Sequence, residues 1–319
     1  TSNIYESLCS YENLEQAFYK ARKGKTRKPY VIAFEEKLQD NLLQLRSELL
    51  MQIYKPLPLT TFILRDPKTR KISKSDFRDR VVHHALVQLL EPIFDKGFIY
   101  DSYANRRGKG GLKALQRFDE FKRKISKNNT TPCIVLKADI KQYFETVDQH
   151  ILMSLVQKRI IDERILWLIK VILNNHKTSI KGKGMPLGNL TSQFFANIYL
   201  DRLDQFVKHV LRAKYYIRYV DDFVILSESK HQLEEYKKRI ISFLKERLAL
   251  QLHPDKSQVL KLEKGIGFLG FRVFYHHKLL RKKNVRKFER KFEELKMLYA
   301  QGIMSREKVV ETIEGWFAY

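Results

Sequence analysis

The chain has 319 residues, 44% of them hydrophobic, which is enough for an extensive core in one large or two to three modest domains. Its 61 Lys and Arg against 36 Asp and Glu give a net charge of +25, typical of a protein that binds nucleic acid. No apolar run approaches the roughly 18–20 residues of a membrane span, no signal peptide stands out, and the two cysteines form no metal or disulfide pattern. We therefore expect a cytoplasmic protein with no membrane partner.

The N-terminal region is predicted to be helical. Apolar residues recur every three or four positions from Leu14 to Ala21 and from Phe34 to Ile53, which predicts a short helix and a longer one. Pro56 and Pro58 then end the longer helix. The basic run 22–28 between the two fits a solvated loop or a contact with backbone phosphates.

A β-hairpin is predicted from Thr60 to Ile72, around an Asp-Pro turn. Four cations surround that turn: Arg65, Lys68, Arg70 and Lys71. A helix begins next, with Ser75 or Asp76 as its N-cap. His83 and His84 on this helix have no partner at a metal-ligand spacing, so they are interpreted as surface or packing residues.

Glycines alternate with cations in the segment 102–115, where Arg106, Arg107 and Lys109 precede a helical pattern. Glycine lets a backbone approach a ligand, and a helix N-terminus favours an anion. The spacing matches no known nucleotide-binding loop, so the segment is either a phosphate site or a simple flexible loop.

The middle of the chain alternates strand and helix patterns. A buried strand over 133–139 ends in Asp139, which suits a helix cap or a functional group. Helical periodicity then runs to about Leu173, and the Lys-rich segment 174–184 predicts a hairpin. A Gly/Pro turn within 184–189 leads into another amphipathic helix.

The stretch Ile217 to Leu226 reads IRYVDDFVIL and places strand formers on both sides of Asp221 and Asp222. This pattern predicts a tight hairpin with two carboxylates at its tip. Adjacent like charges repel, and a hard cation such as Mg²⁺ would remove the conflict. On its own, however, the stretch fits a solvated Asp-Asp turn equally well.

The C-terminal part is predicted to contain a helix from Leu233 to Leu244, a strand near Val259 and a Gly-punctuated strand over 265–273. Residues 276–280 close a further hairpin. Seven of the eleven residues from Arg281 to Lys291 are Lys or Arg on a helical pattern, and a last helix follows, capped by Ser305.

Asp139, Asp221 and Asp222 can lie side by side if the strand and the hairpin share an antiparallel sheet. Three such carboxylates can hold two Mg²⁺ ions about 3.5–4 Å apart, the arrangement used for in-line nucleotidyl transfer. The cation clusters 65–71 and 106–109 would meet the triphosphate, and the C-terminal basic helix would follow the duplex backbone.

Four motifs follow one another along the chain: the strand ending in Asp139, the Gly/Pro turn into a helix, the Asp-Asp hairpin and the Gly-punctuated strand. In this order they resemble the reverse transcriptases, and the resemblance extends from about Pro56 to the C-terminus. The resemblance implies an RNA-directed DNA polymerase of α+β, right-hand fold, with fingers, an antiparallel-sheet palm and a short helical thumb. It implies an N-terminal extension and fingers with part of the palm over 1–138. The palm would follow over 139–262, with a fingers insertion at about 150–183, and the primer grip and thumb over 263–319. RNA template, cDNA primer or product, dNTPs and two Mg²⁺ ions, replaceable by Mn²⁺, are the implied ligands.

Within the family, the chain is most similar to the reverse transcriptases of bacterial and phage diversity-generating retroelements. Most reverse transcriptases have Gln after the Pro of the Gly/Pro turn, whereas here Pro186 is followed by Leu187. Segments 77–86 and 277–287 also resemble the fingers and thumb of that type. The resemblance implies mutagenic retrohoming, with errors at template adenines, and a small basic accessory protein as partner.

The family's functional residues carry over to matching positions. The catalytic and metal-binding positions are Asp139, Asp221 and Asp222, with Ile140 as a further metal ligand. The nucleotide-binding positions are Arg70, Arg106, Phe144 as the steric gate against a ribose 2′-hydroxyl, Leu187, Gly188 and Lys256. The primer- and template-binding positions are Tyr219, the primer grip Gly267, Phe268, Leu269 and Gly270, and the thumb residues Arg281, Lys282 and Lys283.

Two alternatives remain open. The chain fits a reverse transcriptase of an antiphage defence system or of intron origin, although it has no zinc-type endonuclease pattern. It also fits a catalytically silent RNA-binding protein on a polymerase scaffold, against which the three intact carboxylates argue.

Overall fold

Helices make up most of the computed structural model, which describes residues 4–65, 69–178 and 180–317, without the side chains of 283 and 315–317. The helices are α1 Ile4–Leu8, α2 Tyr11–Arg22, α3 Pro29–Glu36, α4 Leu38–Leu50, α5 Phe77–Asp95, α6 Gly111–Ile125, α7 Tyr143–Thr146, α8 Gln149–Gln157, α9 Glu163–Asn174, α10 Leu190–Gln205, α11 Lys230–Leu248, α12 Lys282–Ala300 and α13 Arg306–Phe317. A π-helical turn, Phe206–Val210, extends α10, and a 3₁₀ turn covers Leu262–Lys264.

The strands form three antiparallel sheets. They are β1 Thr60–Leu64, β2 Arg70–Lys74, β3 Ile134–Asp139, β4 Tyr216–Tyr219, β5 Asp222–Ser227, β6 Gln258–Lys261, β7 Ile266–Phe268, β8 Phe271–Val273 and β9 Lys278–Leu280. The central sheet has the order β4-β5-β3-β6, whereas β1-β2 and β7-β8-β9 are small separate sheets.

Each face of the central sheet is covered by its own core. Leu136 of β3 and Phe223 of β5 share a large cluster with apolar residues of α5, α10 and α11. Val135 and Val224, on the opposite face, share a second cluster with residues of α6, β7 and β8. Because side chains alternate along a strand, the strand residues an even number of positions from Val135 in β3 and from Val224 in β5 lie on this second face.

Three predicted elements differ from the structure. The single helix expected from Phe34 to Ile53 is two helices, because the backbone leaves the helical region at Lys37. The bend allows Phe34 to pack against Phe18 and Phe77, while Leu42 stays in the core.

The hairpin expected at 174–184 is absent, since no strand occurs in the described part of that segment. Its backbone instead pairs with the connection before α8, where Gly184 N donates to Val147 O at 2.7 Å and Gln149 N donates to Gly182 O at 2.9 Å.

The single strand expected over 265–273 is a hairpin, β7–β8. Leu269 and Gly270 form its two-residue turn, with φ of 46° and 85°. Leucine rarely adopts a left-handed conformation, so the pattern gave no turn signal at this position. The Asp66-Pro67 turn and Lys68 of the β1–β2 hairpin lie outside the described residues, while the two strands form as expected. No helix in the described ranges is both long and apolar enough to cross a membrane.

Acid is expected to destabilise the fold through His83, a residue of α5 that is only 3% exposed. Burial lowers the pKa of His83 to about 3 from its ordinary value of 6.5. Between these two pH values the unfolded chain binds a proton at His83 and the folded chain does not, so acid favours unfolding. This loss of stability develops as pH falls from 6.5 towards 3. Replacing His83 with Leu should remove about 2 kcal/mol of the stability lost between pH 7 and pH 5.

Urea unfolding at both pH values measures the difference. His231→Leu, at an exposed position, is the control and should leave the pH dependence unchanged. An unaltered pH dependence in His83→Leu would contradict the prediction.

Candidate active site

The Asp-Asp hairpin has the geometry that its sequence predicts. Tyr219 of β4 pairs with Asp222 of β5, which leaves Val220 and Asp221 as a two-residue turn. Val220 has a φ of 54°, unusual for a β-branched residue. Such backbone strain persists only where the surroundings hold it, and it is common at functional sites.

Asp139 lies directly across the sheet from this hairpin. It is the Cα partner of Asp222 in the β3–β5 register, so the two side chains leave the same face. Ile140 N donates to the Asp221 carbonyl at 3.1 Å, which ties the turn to the end of β3. The Asp139 carbonyl accepts His253 N at 2.7 Å, which fixes the following loop to the same point.

Asp221 and Asp222 lie in an environment that disfavours their charge. Burial raises the pKa of Asp222 to about 6, Lys137 opposes this rise, and Asp139 and Asp221 add to it. Burial, and next the charge of Asp139, raise the pKa of Asp221. Because burial and neighbouring carboxylates disfavour the charged forms of Asp221 and Asp222, a positive charge beside them would stabilise those forms.

Lys137 supplies part of that charge. Its Nζ is 3.6 Å from Asp222 Oδ1, within ion-pair range but too long for a hydrogen bond. Asp222 Oδ1 therefore remains a buried oxygen without a hydrogen-bond partner in the described structure. Lys256 Nζ lies 3.5 Å from Asp139 Oδ1.

A divalent ion fits this donor set when part of its coordination comes from the substrate. No three His, Cys, Asp or Glu side chains of the described residues are gathered closely enough to hold an ion by themselves, so the expected convergence is incomplete. Mg²⁺ is usually held by one or two carboxylates together with substrate phosphates. The unpartnered Asp222 oxygen and the crowded acids match that kind of site.

Two predicted nucleotide-binding cations act electrostatically on the carboxylates. Arg70, at the start of β2, and Lys256 both act against the rise in the pKa of Asp221, so their charges reach this side chain. Arg70 is exposed and has no ion pair in the residues described. Both cations are therefore close to where a triphosphate would meet the acids.

The predicted pocket wall is built around the Gly/Pro turn. Leu187 is half-buried, and its carbonyl accepts Ser73 N of β2 at 2.9 Å. Gly188 has a φ of 113°, and a Cβ there would be 2.8 Å from Ile72 Cγ2, so only glycine fits under the hairpin. Phe144 is half-buried, stacks edge-on with Tyr143 and accepts Met185 N at its carbonyl.

Arg106, a predicted nucleotide-binding residue, makes several contacts within the protein. Its side chain is 8% exposed and binds Asp95 at 2.6 Å. It also donates to the carbonyls of Ile99 and Ser102 at 2.7 and 3.0 Å. Because Nε and Nη1 are bonded to the protein, Arg106 holds the glycine-rich loop in shape with most of its donors.

The predicted primer grip contacts the start of the predicted thumb. Gly270 O accepts Arg281 N at 3.1 Å and Asn284 Nδ2 at 3.4 Å. A Cβ on Gly267 would lie 2.6 Å from Arg281 Nη2, so a side chain at this position would clash with the guanidinium group. Arg281 also acts electrostatically on Asp222, which places the beginning of α12 near the carboxylates.

The other predicted primer and template residues have mixed positions. Phe268 is buried against Phe118. Tyr219 is half-buried beside Asp222, and Lys282 is exposed in the first turn of α12. The side chain of Lys283 lies outside the described residues.

Sequence reasoning missed the fully buried pair of Arg218 and Asp204. Arg218 Nε and Nη2 each lie 2.7 Å from an oxygen of Asp204, and both side chains have no exposure. Arg218 Nη1 donates to the Val220 carbonyl at 3.1 Å, so the pair supports the strained turn directly. The polar Arg218 within an otherwise apolar strand was the available signal. Lys137 was also missed, although it lies two residues before Asp139 on the same face.

The fold is that of a right-hand polymerase. The apo telomerase structure from Candida tropicalis has a TM-score of 0.56 and 14% identity, over 82% of this chain and 57% of that one. Its similarity confirms the predicted α+β, right-hand architecture.

Residues 65–273 match the family described as reverse transcriptase (RNA-dependent DNA polymerase), and the chain belongs to that family. Protein YkfC of Escherichia coli is 27% identical over 78% of this chain and 74% of its own length. The group II intron-encoded protein LtrA of Lactococcus lactis is 22% identical over 75% of this chain and 50% of its own length. The family confirms the prediction of an enzyme, an RNA-directed DNA polymerase.

Proposed function

We propose that this chain copies an RNA template into cDNA by two-Mg²⁺ nucleotidyl transfer. The observation that carries the proposal is the pairing of Asp139 with Asp222 across β3 and β5, with Asp221 in the adjoining turn. When bound, the ions would activate a primer 3′-hydroxyl and hold the triphosphate. Asp139, Asp221 and Asp222 would hold them, with the Ile140 carbonyl as a further ligand.

The surrounding residues of the chain would bind and orient the substrates. Arg70 and Lys256 would neutralise the triphosphate, since both act on the same carboxylate. The turn at Leu269 and Gly270 would support the primer end, because it adjoins Arg281 near Asp222. Placing reactants in this way accounts for much of the rate enhancement in such transfers.

Primer extension on a defined RNA template tests the proposal. With Mg²⁺ and dNTPs, a DNA primer should be lengthened to the template end, and a chelator should stop the reaction. RNA binding without any extension, with either Mg²⁺ or Mn²⁺, would instead support the silent RNA-binding alternative.

The finer proposal is a diversity-generating retroelement, with a small basic accessory protein and errors at template adenines. Leu187 after Pro186 supports it. An intron-derived enzyme is the competing proposal, supported by similarity to the intron-encoded protein LtrA. Sequencing of cDNA made with and without candidate partners separates them, because only the first predicts errors concentrated at adenines.

Leu187→Gln is expected to reduce misincorporation opposite adenine. Leu187 offers only apolar contact, which discriminates between substrates by about 1–3 kcal/mol, whereas a Gln penalises misplaced nucleotides through unpaired polar groups. An error rate lower by roughly ten-fold is expected from about 1.4 kcal/mol of added discrimination. Deep sequencing of the cDNA measures the error rate. Leu187→Met is the control and should preserve it, and an unchanged spectrum in the Gln variant would contradict the prediction.

Phe144→Ala is expected to admit ribonucleotides. The resemblance assigns Phe144 as the gate, and its ring is held edge-on against Tyr143 with centroids 5.3 Å apart. Loss of the ring opens space for a 2′-hydroxyl, so the preference for dNTPs should fall by about 10–100-fold. Competition between dNTPs and rNTPs in single-nucleotide extension measures the ratio. Phe144→Tyr retains a ring and should retain exclusion, whereas full exclusion by the Ala variant would assign the gate elsewhere.

A further inference from the structure

A groove of about 810 Å³ lies between α8, the end of α10 with its π-helical turn, and α11. It is remote from the carboxylates. Helix α11 packs Leu233 and Ile240 into the cluster that holds Phe223, on the sheet face opposite the one that carries Asp139 and Asp222. The groove runs along the outer side of α11, so it shares no residue with the candidate active site.

The groove is strongly basic. Its lining includes one acidic residue, Glu246, and five cations: Lys158, Arg202, Lys238, Arg239 and Arg247. All five cations are exposed, and none makes an ion pair or side-chain hydrogen bond with any part of the chain that the structure describes. By contrast, Lys291 on α12 pairs with a glutamate three residues further along its own helix. The groove cations therefore form a positive surface that the fold does not neutralise.

An aromatic pair lies between these cations. Phe206 and Phe243 both line the groove, with stacked rings 4.2 Å apart and an interplanar angle of 9°. Phe206 begins the π-helical turn that ends at Val210, a residue that is 54% exposed. Isolated π-helical turns recur at functional sites. The groove thus combines apolar ring surface with unpaired positive charge.

We propose that this groove binds a single-stranded segment of RNA. Unpaired cations beside aromatic surface suit a strand with one phosphate per nucleotide and bases that can stack. The segment would be distinct from the template in the active site, because the two sites lie on opposite faces of the central sheet. The chain would then hold its RNA at two places while it copies from one of them.

Binding of a second RNA to the template-loaded protein tests the proposal. The protein is first saturated with an RNA–DNA template–primer duplex, and a labelled, unstructured oligouridine is then titrated at several salt concentrations. Arg202→Gln, Lys238→Gln and Arg247→Gln are combined in one variant. With about 0.7 of salt slope per phosphate contact on a single strand, losing three contacts should lower the slope by about 2 and the affinity by at least ten-fold.

The control variant combines Lys124→Gln, Lys230→Gln and Lys245→Gln, which removes the same charge from exposed positions outside the groove. It should change the affinity by less than about two-fold. Both variants should extend a primer on a short template as the unmodified chain does. Thermal denaturation verifies that both are folded, and crosslinks from 4-thiouridine RNA should map to residues 202–210 and 238–247.

Equal affinity in the two variants, or no second RNA bound by the unmodified chain, would overturn the proposal. So would displacement of the RNA by an acidic polypeptide at equal concentration, which would assign the groove to a protein partner. Because the readout is binding, a failure of primer extension would overturn the proposed function and leave the groove result intact.

Discussion

Asp222→Asn is expected to abolish Mg²⁺-dependent primer extension, by more than about 10²-fold, while template RNA still binds. The reason is local: Asp222 contributes a buried carboxylate oxygen without a hydrogen-bond partner in the described structure, opposite Asp139 in the register. An amide of the same shape keeps the packing but offers one neutral oxygen to an ion. Single-turnover extension and RNA binding, measured on the same preparation, separate the two effects.

The same variant is expected to be more stable than the unmodified chain when no metal is present. Burial raises the pKa of Asp222 to about 6 from 3.8, so the stability that the neutral acid gives below pH 3.8 is lost as pH rises through 6. At pH 7 the Asn variant should gain about 1–3 kcal/mol in free energy of unfolding. Added Mg²⁺ should narrow that difference by binding the native unmodified chain.

Asp255→Asn, at an exposed position in the loop before β6, is the control and should alter neither activity nor stability. Full extension by Asp222→Asn would remove Asp222 from the metal site. A loss of stability in that variant at pH 7 would contradict the account of its burial.

Arg218→Met is expected to destabilise the protein by about 3–5 kcal/mol, because it leaves the Asp204 carboxylate buried and unpaired. Both members of the pair have no exposure. Removing both charges should recover most of the stability, since apolar replacements of buried pairs are often neutral. Arg218→Met combined with Asp204→Asn tests this, and the amide keeps an acceptor for the Tyr216 hydroxyl, which lies 2.7 Å from Asp204.

The double variant also distinguishes support of the turn from simple stability. Arg218 donates to the Val220 carbonyl, so without it the strained turn loses a restraint even when the core is restored. We expect the double variant to regain its free energy of unfolding in urea but to remain at least ten-fold slower in extension. Lys308→Met, which breaks an exposed pair on α13, should change stability by less than about 1 kcal/mol. Equal recovery of rate and stability would show that Arg218 acts on stability alone.

Local patterns in the sequence predict most of the central architecture. The strand ending at Asp139 and the hairpin around Asp221 are encoded by short runs of strand formers with a turn residue between them. The helices whose apolar residues recur regularly, such as α5 and α11, form where expected. These elements depend mainly on neighbours in the chain.

The features that could not be predicted depend on residues distant in sequence. The bend at Lys37 is set by the aromatic cluster that Phe34 joins, and the left-handed Leu269 by its place in the small sheet. The ion pair between Arg106 and Asp95 could not be predicted without knowing where Asp95 lies in the fold. The sequence likewise identified three aspartates. It could not show that their side chains are too far apart to hold an ion without further ligands, because side-chain distances depend on packing.

Asn189 joins two parts of the candidate site at one point. Its side-chain oxygen accepts Ser75 N at 3.0 Å and its amide donates to the Ser73 carbonyl at 3.1 Å, so the root of the β1–β2 hairpin is fastened to the residue after Gly188. Arg70 lies on that hairpin, and Leu187 lies on the turn. The hairpin that would contact the triphosphate and the turn that would contact the base are therefore both anchored at Asn189. Because one side chain joins both parts, a substitution of Asn189 would disturb the hairpin that carries Arg70 and the turn that carries Leu187 at the same time.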